Sequence, residues 1–131
     1  MAMMNKIEQA TMTTDRVFVY GTLKKGQANE RFLDGAQFLG NAHTTRKGWN
    51  LVDLGAFPAM TYGHSQVKGE VYRVDWDHMQ DLDRLESFPD LYTRNVIHVT
   101  LDDGSEVSAW AYHMPDMAGS SSAKQLTEWS R

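Results

Sequence analysis

The chain has 131 residues, 41% of them hydrophobic and 23% charged, and a formal net charge of −4. That is enough apolar matter for one domain with a packed core, and the acidic balance offers nothing to phosphate backbones or anionic membranes, so neither nucleic acid nor membrane is expected as a partner. No run of eighteen apolar residues could span a bilayer, and cysteine is absent, which excludes disulfides, thiol nucleophiles and cysteine metal sites and suits a reducing, cytoplasmic setting.

Residues 1–14, "MAMMNKIEQATMTT", lack an apolar signal core and read as a flexible leader to a domain over 15–115. "RVFVY" follows, a short and mostly apolar strand of the kind buried on both faces. It runs straight into "GTLKKGQANERFL", where Gly21 and Gly26 flank Lys24 and Lys25. A phosphate loop would need Lys and then Ser or Thr after the second glycine, and Gln27 and Ala28 stand there instead. Gly21 still lets the backbone turn sharply and lets a ligand approach closely. The amides of residues 21–23 would then face one cavity, a nest for a carboxylate or a polarised carbonyl oxygen. An ordinary tight turn explains the same residues.

"AQFLGNAHTT" and "KGWNLVDL" read as strands interrupted by turn residues. "LGAFPAM" reads as an apolar loop around Pro58 that either lines a pocket or buries itself under the sheet. "VKGEVYRVD" alternates as a strand and leads into a helix with Asp75 as its N-cap. Beyond the helix, "TRNVIHVTL", "DDG" and "SEVSAWAYHM" make the clearest hairpin of the chain. One helix on five to seven short strands implies an α+β domain built on a partly closed barrel. In the tail, "AGSSSAK" reads as a flexible joint and "KQLTEWSR" as an amphipathic end forming a short terminal helix.

The helical stretch, "VDWDHMQDLDRLESFPDLYTR", holds one anomaly. At about 100° per residue, Trp76, Met79, Leu82 and Leu85 fall on one apolar arc, and Glu86 falls near its middle. Asp77 and Asp81 point away and Asp83 sits at the rim. A carboxylate aimed at an apolar interior is costly unless it is paired, protonated or used. The alternative is that Glu86 frays outward in the last turn, since Pro89 stops the helix. The five histidines, His43, His64, His78, His98 and His113, show no metal-ligand spacing, no metal site is expected, and no G-x-S-x-G is present.

"VFVYGTLKKGQAN", "VKGEVYRVD" and "LDRLESFPDLYTR" together resemble the γ-glutamylcyclotransferase-like family, and "ESFPDLYTR" looks most like its γ-glutamylamine cyclotransferase branch. The resemblance runs from Arg16 to Met114, and the tail beyond has no counterpart in it. It implies a small mixed β-barrel with a pocket at one side. It implies that Tyr20, Gly21, Thr22 and Leu23 hold a γ-glutamyl group through backbone amides, and that Glu86 is the catalytic acid and base. Pro58, Tyr92 and Tyr112 would line the same pocket. The implied reaction is intramolecular: the α-amine of a γ-glutamyl group attacks its own γ-carbonyl, 5-oxoproline closes and an amine or amino acid leaves. It implies no cofactor. A non-catalytic module that holds a small γ-glutamyl or amine ligand on the same fold, and a partner-binding β-domain, are the alternatives. The leaving amine and the oligomeric state are not legible in the sequence.

Overall fold

In the computed structural model, residues 15–114, 124–126, 128 and 129 are described. The leader expected over 1–14 and most of the expected tail joint lie outside them. In chain order the strands are β1 (Arg16–Val19), β2 (Gln37–Thr44), β3 (Trp49–Asp53), β4 (Pro58–Tyr62), β5 (Lys68–Arg73), β6 (Thr93–Leu101), β7 (Glu106–His113) and β8 (Lys124–Leu126). A 3-10 turn covers Glu30–Leu33, and one α-helix, α1, covers Trp76–Leu85.

Five strands close into a barrel in the order β1-β5-β2-β6-β7. The closing seam is parallel, Val17 of β1 against Trp110 of β7, and the other pairings are antiparallel. The expected class, one main helix on a small mixed barrel, is therefore the architecture observed, and the barrel closes. The β6–β7 hairpin runs in register from Thr93↔His113 to Thr100↔Glu106, as its alternation and Asp-Gly turn suggested.

A second sheet of three strands, ordered β4-β3-β8, lies beside the barrel. It joins the end of β7 where Met114 N–H donates to the Met60 carbonyl at 2.9 Å. Two expectations are corrected here. Pro58 does not sit in a loop but opens β4 opposite Asp53; as the first residue of an edge strand it needs no N–H. The tail at Lys124–Leu126 is not helical but pairs with β3, Leu51↔Leu126 to Asp53↔Lys124. These two strands bring the described total to eight, above the five to seven expected.

Along β1 the alternation of side chains feeds two cores. Val17 and Val19 join Leu23, Met79, Leu82, Tyr92 and Tyr112 beneath the helix. Phe18 and Tyr20 join Leu51, Met60, Val71 and Trp129 beneath the second sheet. This is why RVFVY is apolar on both faces.

Asp75 caps α1 as expected, accepting from His78 N–H at 2.8 Å, while His78 Nδ1 lies 3.2 Å from Asp75 N–H. The reciprocal pair is a capping box with imidazole in the place usually taken by Glu or Gln. Met79 and Leu82 are buried, but Trp76 is 66% exposed, against the expectation that it belongs to the apolar arc. It occupies the first helical position, where the side chain leans back past the end of the helix rather than onto the barrel.

Candidate active site

The site begins where β1 ends. A Cβ built on Gly21 would lie 2.8 Å from Pro58 Cγ and 2.9 Å from Cδ. The residue is not in the left-handed region, so glycine is needed here for close approach rather than for a sharp turn. The loop beyond folds on itself: Asn29 donates from its backbone to the Thr22 carbonyl at 2.8 Å and from Nδ2 to Thr22 Oγ1 at 2.9 Å. Among the described residues, the amides of Gly21, Thr22 and Leu23 meet no acceptor within hydrogen-bond distance. Three free donors therefore stand in a row at one wall.

Glu86 faces this wall from the end of α1. It is the C-cap residue, with φ −84° and ψ 0°, and its N–H still donates to the Leu82 carbonyl at 2.9 Å. Ser87 then takes φ 52° and turns the chain away. Among the described residues no group hydrogen-bonds the Glu86 carboxyl. Burial raises its pKa from the ordinary 4.5 to about 7, because the charged form loses its hydration. Near neutral pH such a group is present in both forms, as a proton shuttle requires.

Tyrosines frame the rest. Tyr20 Oη donates to the Tyr112 carbonyl at 2.6 Å and accepts from Met60 N–H at 3.1 Å. Tyr92 Oη donates to the Pro58 carbonyl at 3.0 Å. Tyr112 Oη donates to Asp83 Oδ1 at 2.6 Å. Burial, and after it the charge of Glu86, pushes the Tyr92 hydroxyl well above its usual pKa. All three therefore stay protonated and act as hydrogen-bonding groups, not as bases.

A cavity of about 310 Å³ opens between these parts. Every residue that the sequence suggested lines it: Tyr20, Gly21, Thr22, Leu23, Pro58, Glu86, Tyr92 and Tyr112. Among the described lining residues Glu86 is the one with a charged side chain. Sequence reasoning missed Asn29, which braces the turn, and the apolar rim of Phe57 and Leu91. It also placed Asp83 at the helix rim with no role. The Arg94 partner of Asp83 lies eleven residues on, across a turn that no helical spacing foretells.

The barrel thus carries a small-molecule cavity with one half-buried carboxyl opposite a row of amides that meet no acceptor among the described residues. The family described as gamma-glutamyl cyclotransferase, AIG2-like, matches residues 17–131, and the chain belongs to it. The match reaches past Met114, where the resemblance read from the sequence stopped. The chain is 38% identical over 104 residues to a Methanocaldococcus jannaschii protein whose name assigns it provisionally to the gamma-glutamylcyclotransferases, covering 79% of this chain and 87% of that one. It is 46% identical over 97 residues to the gamma-glutamylaminecyclotransferase of Bos taurus, covering 66% of this chain and 56% of the relative. The crystal structure of an AIG2-like protein from Mus musculus superposes with a TM-score of 0.77 at 29% identity, over 88% of this chain and 87% of that chain.

Proposed function

We propose that the protein is a cyclotransferase that converts a γ-glutamyl amide into 5-oxoproline and a free amine, with Glu86 as the acid and base. The observation that carries this reading is the half-buried Glu86 carboxyl, which has no hydrogen-bond partner among the described residues and whose pKa desolvation raises to about 7. Its carboxylate takes a proton from the substrate's α-ammonium. The freed amine attacks the γ-carbonyl, forming the ring C–N bond, and the carbonyl oxygen becomes an oxyanion. The amides of residues 21–23 are the donors available to stabilise that charge. The protonated Glu86 then gives its proton to the leaving nitrogen, the old C–N bond breaks, and Glu86 is a carboxylate again; the ring nitrogen passes its remaining extra proton to the departing amine, which leaves as an ammonium ion beside the neutral lactam. Both reacting groups belong to one molecule, so closure of a five-membered ring starts from a high effective molarity.

The pocket favours an amine over an α-amino acid as the departing group. Among the described lining residues there is no Lys, Arg or His side chain to pair with a second carboxylate, and the bovine relative, named for γ-glutamylamines, supports the same choice. The test is to incubate the protein with a panel of γ-glutamyl amides and γ-glutamyl amino acids and to measure 5-oxoproline. Release from the amides first supports the reading, and release of glutamate instead points to plain hydrolysis.

A further inference from the structure

Asp83 stands one turn before Glu86 on the same face of α1. Arg94 donates to it twice, from Nε to Oδ1 at 2.8 Å and from Nη2 to Oδ2 at 3.1 Å. The guanidinium is itself held between two rings, 4.7 Å from the centre of Phe88 and 4.4 Å from that of Trp110. Arg94 of β6 and Tyr112 of β7 are paired across the hairpin. The Tyr112 hydroxyl makes the third bond to the same carboxylate, at 2.6 Å to Oδ1. Asp83 is thus fixed in place by three donors and accepts from all of them.

This has a consequence for the cavity. A phenol has one proton, and Tyr112 spends it on Asp83. The oxygen that remains can only accept from anything in the cavity. The same holds for Tyr92, whose proton goes to the Pro58 carbonyl at 3.0 Å. Both tyrosines line the cavity with Glu86. Two acceptor oxygens and the Glu86 carboxylate match the three N–H donors of an ammonium group.

We propose that Asp83, held by Arg94, is a positioning residue that turns the Tyr112 hydroxyl oxygen into an acceptor for the substrate's α-ammonium. The clamp sorts the two ends of the γ-glutamyl group: the ammonium goes to the tyrosine oxygens and Glu86, and the oxygens of the substrate go to the free amides of residues 21–23. The inference rests on the proposed cyclisation for the identity of the ligand, but its test does not need turnover.

The variant to make is Asp83→Leu with Arg94→Met. It replaces the ion pair with apolar groups of similar reach, a change folds often tolerate, and leaves no stranded charge. Tyr112 then has no acceptor behind it and can turn its proton into the cavity. In a Glu86→Gln background, which blocks turnover, calorimetry would compare γ-glutamylbutylamide with its des-amino counterpart, glutaric acid monobutylamide. The double substitution should weaken the amine-bearing ligand about tenfold, the effect of one lost hydrogen bond to a charged group. It should leave the des-amino ligand within about twofold. Tyr112→Phe, which keeps the clamp but lacks the oxygen, should show the same selective loss and should add nothing to the double variant. Should the double variant fail to fold, Tyr112→Phe alone reads the same selectivity. Equal weakening of both ligands, or of neither, overturns the proposal. The wild type's 5-oxoproline release is scored separately, so loss of the proposed reaction and loss of this inference are distinct outcomes.

Discussion

Replacing Glu86 by glutamine should stabilise the protein at pH 8 and lose that advantage by pH 4.5. The carboxyl titrates at about 7 in the fold against 4.5 as a model group. Between those values the folded state holds one proton more than the unfolded state, so wild-type stability falls as pH rises through the window. Above the folded pKa the whole penalty is present; below the unfolded value it is gone. The gap between the two values corresponds to about 3 kcal/mol at 1.36 kcal/mol per unit, an upper bound because the cavity admits water to the group. Glutamine has the same shape and no charge. Among the described residues the carboxyl has no hydrogen-bond partner to lose, so the substitution breaks nothing that would offset the gain. Urea melts of both proteins at pH 4.5, 6, 7 and 8 would read the difference in stability, which should grow from near zero to about 2–3 kcal/mol. The constant cost of burying an amide cancels in the trend. A difference that stays flat with pH, or a mutant that is less stable at pH 8, would mean that Glu86 is a satisfied structural carboxylate and that its placement has been misread.

Three further outcomes follow from the same structure. Gly21→Ala drives a Cβ to 2.8 Å from the Pro58 ring; it should cost about 1–3 kcal/mol by denaturant melt and reduce turnover sharply, because the free amides shift with the wall. Trp129→Ala empties a site that is 2% exposed in the second core, and a loss of about 3–5 kcal/mol is expected, whereas a melt like that of the wild type would show the tail to be dispensable. His113 is held below its usual pKa of 6.5 by burial, with Nε2 bonded to Asn95 Oδ1 at 2.6 Å and Nδ1 without a partner among the described residues. Its charged form is disfavoured in the fold, so wild-type stability should drop relative to His113→Phe as pH falls below 6.5, and parallel pH profiles for the two proteins would contradict this.

The hairpin, the capped helix and the double-faced β1 were legible because each is a local pattern: alternation with an Asp-Gly turn, Asp75 before an amphipathic run, and a strand apolar at every position. Glu86 was legible for a related reason, since a carboxylate in the apolar arc of a short helix is a local contradiction. The misses are non-local. Pro58 looks like a strand breaker until its edge position is known. Lys124–Leu126 carries no strand signal of its own and takes its form from β3. Trp76 fits the helical period but stands at the first helical position, where its side chain leans back past the helix end and stays exposed. Asp83 reads only as a residue at the helix rim and Arg94 only as the end of "ESFPDLYTR", because the bond between them, and the hydroxyl of Tyr112 on the same oxygen, appear only when β6 and β7 come up beside the helix end.

The most direct test of the proton shuttle is the rate of 5-oxoproline release from γ-glutamylbutylamide by wild type and by folded Glu86→Gln, with the N-acetylated amide as a control. The wild type should release 5-oxoproline and butylamine in equal amounts. The acetylated substrate, whose nucleophile is blocked, should be inert. The glutamine variant should be slower by about 10²-fold or more, the usual scale for a removed acid–base group. A Glu86→Gln protein that forms 5-oxoproline at the wild-type rate would contradict the assignment.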